Sequence, residues 1–159
     1  LKRLPSECWL INQHVSPAYR FSKEQIQFME ERLQTRFVLA QAMSVWDNPN
    51  YALDESWAHL TPYALESQPG KTSQCLLSIM NHSPEKQTFE ASVNLPKGWT
   101  LRSLSPMSVV IPPQQEGAIE ICFSPAKESP AGLYVLTVNL KFRQEELREW
   151  CEAMVTIGP

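Results

Sequence analysis

The stretch Gly132-Leu-Tyr-Val-Leu-Thr-Val-Asn-Leu-Lys-Phe142 constrains this chain most. Tyr134, Leu136, Val138, Leu140 and Phe142 fall on one face of an extended strand, and Thr137, Asn139 and Lys141 on the other. Period-two alternation over this length marks a strand with one buried face, and such a face demands a second layer to cover it. Ser129-Pro-Ala-Gly132 reads as the turn that starts it, because Pro restricts and Gly permits the dihedrals a reversal needs. Leu147 to Ile157 repeats the alternation and is predicted to close a hairpin with it.

The covering layer is legible upstream. From Thr61 onward the chain reads as short strands separated by turns. The predicted strands are 62–66, 72–81, 87–95, 99–101, 107–111, 117–123, 132–142 and 147–157. Gln68-Pro-Gly-Lys71, His82-Ser-Pro84, Pro96-Lys-Gly-Trp99 and Pro112-Pro113 punctuate them. Seven or eight strands with turns at such spacing predict a mainly β fold, an antiparallel β-sandwich of the immunoglobulin-like class.

The preceding residues read differently. Cys8-Trp-Leu-Ile-Asn12 is a short apolar, strand-like run. Ser22-Lys-Glu-Gln25 is a capping box, with Phe21 and Ile26 at the staple positions. Ile26, Met29, Leu33, Phe37, Ala40 and Met43 then recur at three- and four-residue steps without Pro or Gly, predicting one long amphipathic helix over about 23–45. The stripe calls for an apolar surface, either the sandwich or a larger neighbouring domain. Trp46-Asp-Asn-Pro-Asn50 ends it. The expected organisation is a helical segment at 1–45 that finishes a preceding domain, a connector at 46–61 rich in apolar anchors, and the sandwich at 62–159.

Charge and cysteine usage exclude several classes. With 14 basic and 17 acidic residues the net charge is −3, so no basic surface suggests nucleic acid or an anionic membrane. No apolar run approaches the roughly 20 residues that span a bilayer. Leu1-Lys-Arg-Leu-Pro5 is not followed by the apolar core of a signal peptide, and the absence of an initiator Met is taken to mean a piece of a longer protein. Cys8, Cys75, Cys122 and Cys151 lack CxxC spacing. Strand phase turns Cys75 and Cys151 inward and Cys122 outward, so free thiols and a cytoplasmic location are expected.

Asn81-His-Ser-Pro84, Leu95-Pro-Lys-Gly-Trp99, Val109-Val-Ile-Pro-Pro113 and Pro130-Ala-Gly-Leu-Tyr134, in that order over about 90 residues, resemble the bacterial immunoglobulin-like domains of the type associated with α-galactosidases. The resemblance places Trp99 in a buried turn and Tyr134 at the start of a central strand, and it implies an accessory rather than a catalytic role. Leu10-Ile-Asn-Gln-His14 before a long helix resembles the C-terminal end of a metallo-β-lactamase-fold hydrolase, where a strand delivers a late metal-binding His. That resemblance implies His14 as a ligand to zinc or another divalent metal in the intact parent. The HxHxDH motif that supplies most of the other ligands does not occur in this chain.

Taken by residue type, the remaining candidates favour structure over chemistry. Asp47, Asn48, Asn50, Asp54 and Glu55 lack the spacing of a calcium loop and suit capping and turns. No GxSxG elbow frames a nucleophile. Asn81-His-Ser83 fits the glycosylation pattern by composition alone. Five Trp raise carbohydrate stacking; Trp46, Trp57 and Trp99 read as structural, whereas Trp150 shares a face with Glu152 and Met154, opposite Cys151, and is the candidate exposed binding residue. The expected function is a non-catalytic interaction module at the end of a larger hydrolase, with no catalytic residue or cofactor of its own. Its partner would be the preceding catalytic domain or a second copy. The alternatives are a carbohydrate-binding module, and His14 as a contributed metal ligand.

Overall fold

The computed structural model describes residues 9–12, 15–20, 22–43, 48–103 and 107–158, with side chains from Ser22 onward. It comprises two units, Leu1–Ala52 and Leu53–Pro159.

In the first unit, β1 (Trp9–Asn12) and β2 (Val15–Arg20) pair antiparallel, Trp9 opposite Arg20. The apolar run at 9–12 predicts β1. Nothing predicts β2, because Pro17 in a run demotes it as a strand. Helix α1 (Lys23–Met43) starts at the expected capping box. The Ser22 amide donates to Gln25 Oε1 at 2.7 Å, and the Gln25 amide donates to Ser22 Oγ at 3.2 Å. These reciprocal bonds satisfy amides that the first helical turn leaves without partners. The staple residue Phe21 and the helix end at 44–45 lie outside the described residues. Along the stripe Ile26, Phe37 and Ala40 are half-buried while Met29, Leu33 and Met43 are exposed, and no residue of α1 is buried. The short α2 (Asn50–Leu53) follows a turn in which Asn48 Oδ1 accepts from the Asn50 amide at 2.9 Å, the turn role expected of that residue.

The second unit contains β3 (Ala58–Thr61), β4 (Ala64–Ser67), β5 (Ser73–Met80), β6 (Gln87–Asn94), β7 (Thr100–Leu101), β8 (Ser108–Ile111), β9 (Glu116–Ser124), β10 (Gly132–Phe142) and β11 (Glu145–Ile157). They form a five-stranded sheet ordered β4-β11-β10-β6-β8 and a four-stranded sheet ordered β3-β5-β9-β7. The fold is an immunoglobulin-like β-sandwich. Eight of its strands coincide with predicted ones within a few residues at their ends. The ninth, β3, lies in the stretch expected to act as a connector, where it pairs antiparallel with β5, Leu60 opposite Leu77. All pairings in the sandwich are antiparallel except that of β4 with β11, Met154 opposite Ala64.

Strand β10 holds the centre of its sheet, pairing with β11 on one side and β6 on the other. Its inward residues Leu136, Val138, Leu140 and Phe142 are buried, as the alternation requires. They face Leu77, Ile79, Ile121 and Phe123 of the other sheet, all buried. Burying a side chain of this size contributes about 1.5–3 kcal/mol each, so the facing rows dominate the stability of the unit. Trp57 closes one end: it is 1% exposed, and its ring centroid lies 5.7 Å from that of Phe142 and 6.2 Å from that of Phe89. Trp99 closes another part of the core, stacked on Phe123 at 5.7 Å and beside Tyr134 at 5.1 Å. The turn Pro96–Trp99 that delivers it needs Gly98 at φ 83°, a conformation glycine adopts without steric cost.

Candidate edge groove

A concave surface of the sandwich is flanked by β3 and β11. Strand β11 pairs with β10 along its length but with β4 only from Met154 to Ile157. Upstream of that point the chain leaves β3 through Pro62 and Tyr63, and the Tyr63 carbonyl accepts from the Met154 amide at 2.7 Å. Ala58, His59, Thr61, Tyr63, Trp150 and Glu152 line a shallow groove of about 480 Å³ there.

Strand phase aims these side chains. Cys151 and Ala153 are buried, so Trp150 and Glu152 point away from the core. A register shift between Val138 and Leu140 of β10 lets β11 bulge, with Glu149 at φ 48° and its amide donating to Asn139 Oδ1 at 2.8 Å. A bulge bends its strand and re-aims the adjacent side chain. Trp150 thereby packs on Trp57, centroids 5.8 Å apart, while 42% of it stays exposed. Tyr63 is 50% exposed and its hydroxyl donates to Glu152 Oε1 at 2.9 Å. The Glu152 carboxylate holds the phenolic proton and raises the Tyr63 pKa. His59 is exposed, with Nδ1 2.9 Å from the Ser56 carbonyl. That carbonyl can only accept, so Nδ1 donates to it, and in the neutral imidazole Nε2 is then the acceptor.

Trp150 is exposed, as its phase opposite Cys151 predicts, while its packing on Trp57 does not follow from that phase. Tyr63, His59 and Glu152 complete the groove; of these only Glu152 shared a predicted face with Trp150. His14, the candidate metal ligand, lies outside the described residues, as do Cys8 and Trp46. Among the described residues no group of three or more His, Cys, Asp or Glu is placed to hold a metal ion. Asp54 instead supports a turn and a side-chain hydrogen bond: Oδ1 accepts from the Ser56 amide at 3.0 Å, and Oδ2 lies 2.8 Å from His82 Nε2.

The Asn81 sequon is a structural clasp. Its side chain is fully buried, and Nδ2 donates to the carbonyls of Glu85, Ile111 and Pro112 at 2.8, 2.9 and 3.0 Å. Oδ1 accepts from the amide and hydroxyl of Ser83. Gln114 Nε2 donates to the His82 carbonyl, tying the same two loops. The described cysteines are free; Cys75 and Cys151 are buried and Cys122 half-buried, in the predicted phases. Burial pushes Cys75 up to about 11, with a smaller contribution from Cys122, and Cys151 up to about 12.

No family model matches the chain, and no curated protein sequence matches it. Solved structures with partial likeness include native Escherichia coli alpha-2-macroglobulin, at 17% identity and a TM-score of 0.49 over 64% of this chain and 6% of that one. A PapD-like domain of human CEP192 gives 13% identity and a TM-score of 0.43, covering 64% of this chain and 85% of that one. WR4, a Caenorhabditis elegans MSP family member, gives 8% and 0.40, covering 64% and 98%. The chain spans a small fraction of the macroglobulin's length.

Proposed function

We propose that the chain is a non-catalytic interaction module appended to a larger enzyme. The observation that carries this reading is the direction of the buried polar side chains. Asn81 and Ser83, both fully buried, bind main-chain carbonyls and each other rather than converging on a cavity. The buried thiols are pushed away from the nucleophilic thiolate form. The exposed aromatic surface at Tyr63 and Trp150 suits contact rather than chemistry.

On this reading the residues at 1–45 finish the preceding domain, and the sandwich, which begins at β3 rather than at 62, braces that domain or a second copy. The parent would be a metallo-β-lactamase-fold hydrolase working in the cytoplasm, with His14 one of its zinc ligands. No helix among the described residues is long and apolar enough to cross a membrane.

The test is metal analysis of the purified 159-residue chain together with hydrolase assays on ester, phosphodiester, β-lactam and glycoside substrates. The expected result is neither tightly held metal nor turnover above blank. A stoichiometric zinc ion, or turnover abolished by His82→Ala, overturns the reading. For His14, the alanine variant of the full-length parent should lower metal content and activity together.

A further inference from the structure

We propose that the groove between β3 and β11 is a binding site for a neutral saccharide, with Tyr63 and Trp150 as its stacking walls and Glu152 and His59 as its hydrogen-bond acceptors. This rests on the reading of the chain as an interaction module and names what the module holds.

The chemistry of the walls sets the ligand class. Trp150 and Tyr63 are large aromatic side chains kept about half exposed, at 42% and 50%. Leaving such area in water is unfavourable unless something covers it. Trp150 is held from behind by Trp57, and Tyr63 by its bond to Glu152, so neither ring has to be ordered when a ligand arrives. Pre-ordering of this kind removes a cost that binding otherwise carries. Pyranose rings present apolar C–H faces that match such walls.

The polar groups select further. Glu152 keeps acceptor capacity beyond the oxygen that receives the Tyr63 hydroxyl, because a carboxylate has about four acceptor sites. His59 offers Nε2 as an acceptor once Nδ1 is committed to Ser56. Acceptors call for O–H donors, and sugar hydroxyls are donors at every position around the ring. The Glu152 charge opposes carboxylated, sulfated or phosphorylated ligands, so the fitting class is neutral. The groove volume of about 480 Å³ lies within the usual range for a small-ligand site of roughly 300–1,000 Å³. Trp150 and Glu152 are two positions apart on β11, roughly 6.5 Å, close enough for one sugar ring to meet both.

The experiment titrates the 159-residue chain with hexasaccharides of β-linked glucose, mannose, galactose and xylose. A galacturonate hexamer and a lysine-containing β-prone hexapeptide serve as comparison ligands. Binding is read from the indole N–H resonances in ¹H–¹⁵N spectra. The expected result is millimolar or tighter binding of at least one neutral hexasaccharide, with the Trp150 indole shifting and galacturonate inert. Tyr63→Ala, which removes an exposed ring, should weaken binding about tenfold, or roughly 1.4 kcal/mol. Trp150→Ala should abolish it, and Glu152→Gln should weaken it while admitting galacturonate. Failure of every sugar at millimolar concentration overturns the proposal, as does binding unchanged in both aromatic variants. Binding of the peptide alone overturns it too and leaves the interaction-module reading standing. Metal content and turnover, which test that reading, are measured separately.

Discussion

Asn81 reaches across the sandwich to place its amide nitrogen 3.0 Å from the Pro112 carbonyl, joining the loop after β5 to the loop after β8. The same nitrogen also serves Glu85 and Ile111, and the main chain adds bonds from Asn81 to Gln115 and from Gln114 to Asn81. Removing the side chain takes a donor from the buried Ile111 carbonyl and the acceptor from the buried Ser83 amide, and each unsatisfied buried group costs about 1–3 kcal/mol. Asn81→Ala should therefore destabilise the sandwich by on the order of 3 kcal/mol, read as a loss of more than about 10 °C in Tm. Asn81→Asp should be at least as harmful, since it replaces the donor by a buried charge. Expression in a glycosylating host should leave Asn81 unmodified in the folded protein.

Gly117 and Ile111 set a steric limit at the corner where the chain passes from one sheet to the other. A Cβ on Gly117 would lie 2.6 Å from Ile111 Cγ1 and 2.8 Å from its Cδ1. Ile111 is fully buried, so moving it disturbs the core around it. Overpacking of this kind costs about 1–3 kcal/mol. Gly117→Ala should fall in that range by urea unfolding. Ile111→Ala alone should also destabilise, but the double variant should be less harmful than the two losses added, because they share one contact.

The sequence makes some of these relationships legible and hides others for physical reasons. The inward face of β10, the Ser22–Gln25 cap and the phases of Cys75, Cys122 and Cys151 are local patterns, so they can be read directly. Strand β3 is hidden because Ala58-His-Leu-Thr61 is short, poor in β-branched residues and followed by Pro62. The groove is hidden for a different reason. Tyr63 and Glu152 are 89 residues apart, and the parallel register of β4 with β11 brings them together. The exposure of Trp150 could be read from its phase, but the wall opposite it could not. The Asn81 clasp is equally long-range: its local signal is only an Asn before Ser-Pro, while its partners Ile111 and Pro112 lie some 30 residues on.

Asp54 and His82 tie the start of the second unit to the loop after β5, Oδ2 to Nε2 at 2.8 Å. The His82 hydrogen bond is the main cause of an Asp54 pKa below the ordinary carboxylate value. A carboxylate whose pKa is lowered on folding stabilises the folded state above its unfolded pKa, near 3.8, and loses that contribution as pH falls through the folded value. Asp54 is 39% exposed, so solvent screening keeps the effect small. Asp54→Asn should lower Tm modestly at pH 6, and the gap to the unsubstituted chain should narrow as pH falls below about 4. A gap that widens on acidification would contradict the assignment.

Cys151 and Cys75 occupy the inner faces of opposite sheets, and burial pushes their thiols up to about 12 and about 11 respectively. Thiolate is the reactive form, so at pH 8 only a minute fraction of either group can attack a disulfide reagent even where access allows it. Cys122 is half-buried on the outer side of β9; its pKa is also raised, by desolvation first and then by the Glu120 carboxylate. In a Cys8→Ser background, labelling of the folded protein at pH 8 should modify Cys122 first. Cys75 and Cys151 should react only at the rate of global unfolding, since both side chains are buried between the two sheets. Adding urea should accelerate those two in parallel and by a larger factor than Cys122, whose desolvation is only partial. Peptide mapping by mass spectrometry distinguishes the three sites, and rapid labelling of Cys151 in the absence of denaturant would contradict the inward phase of β11.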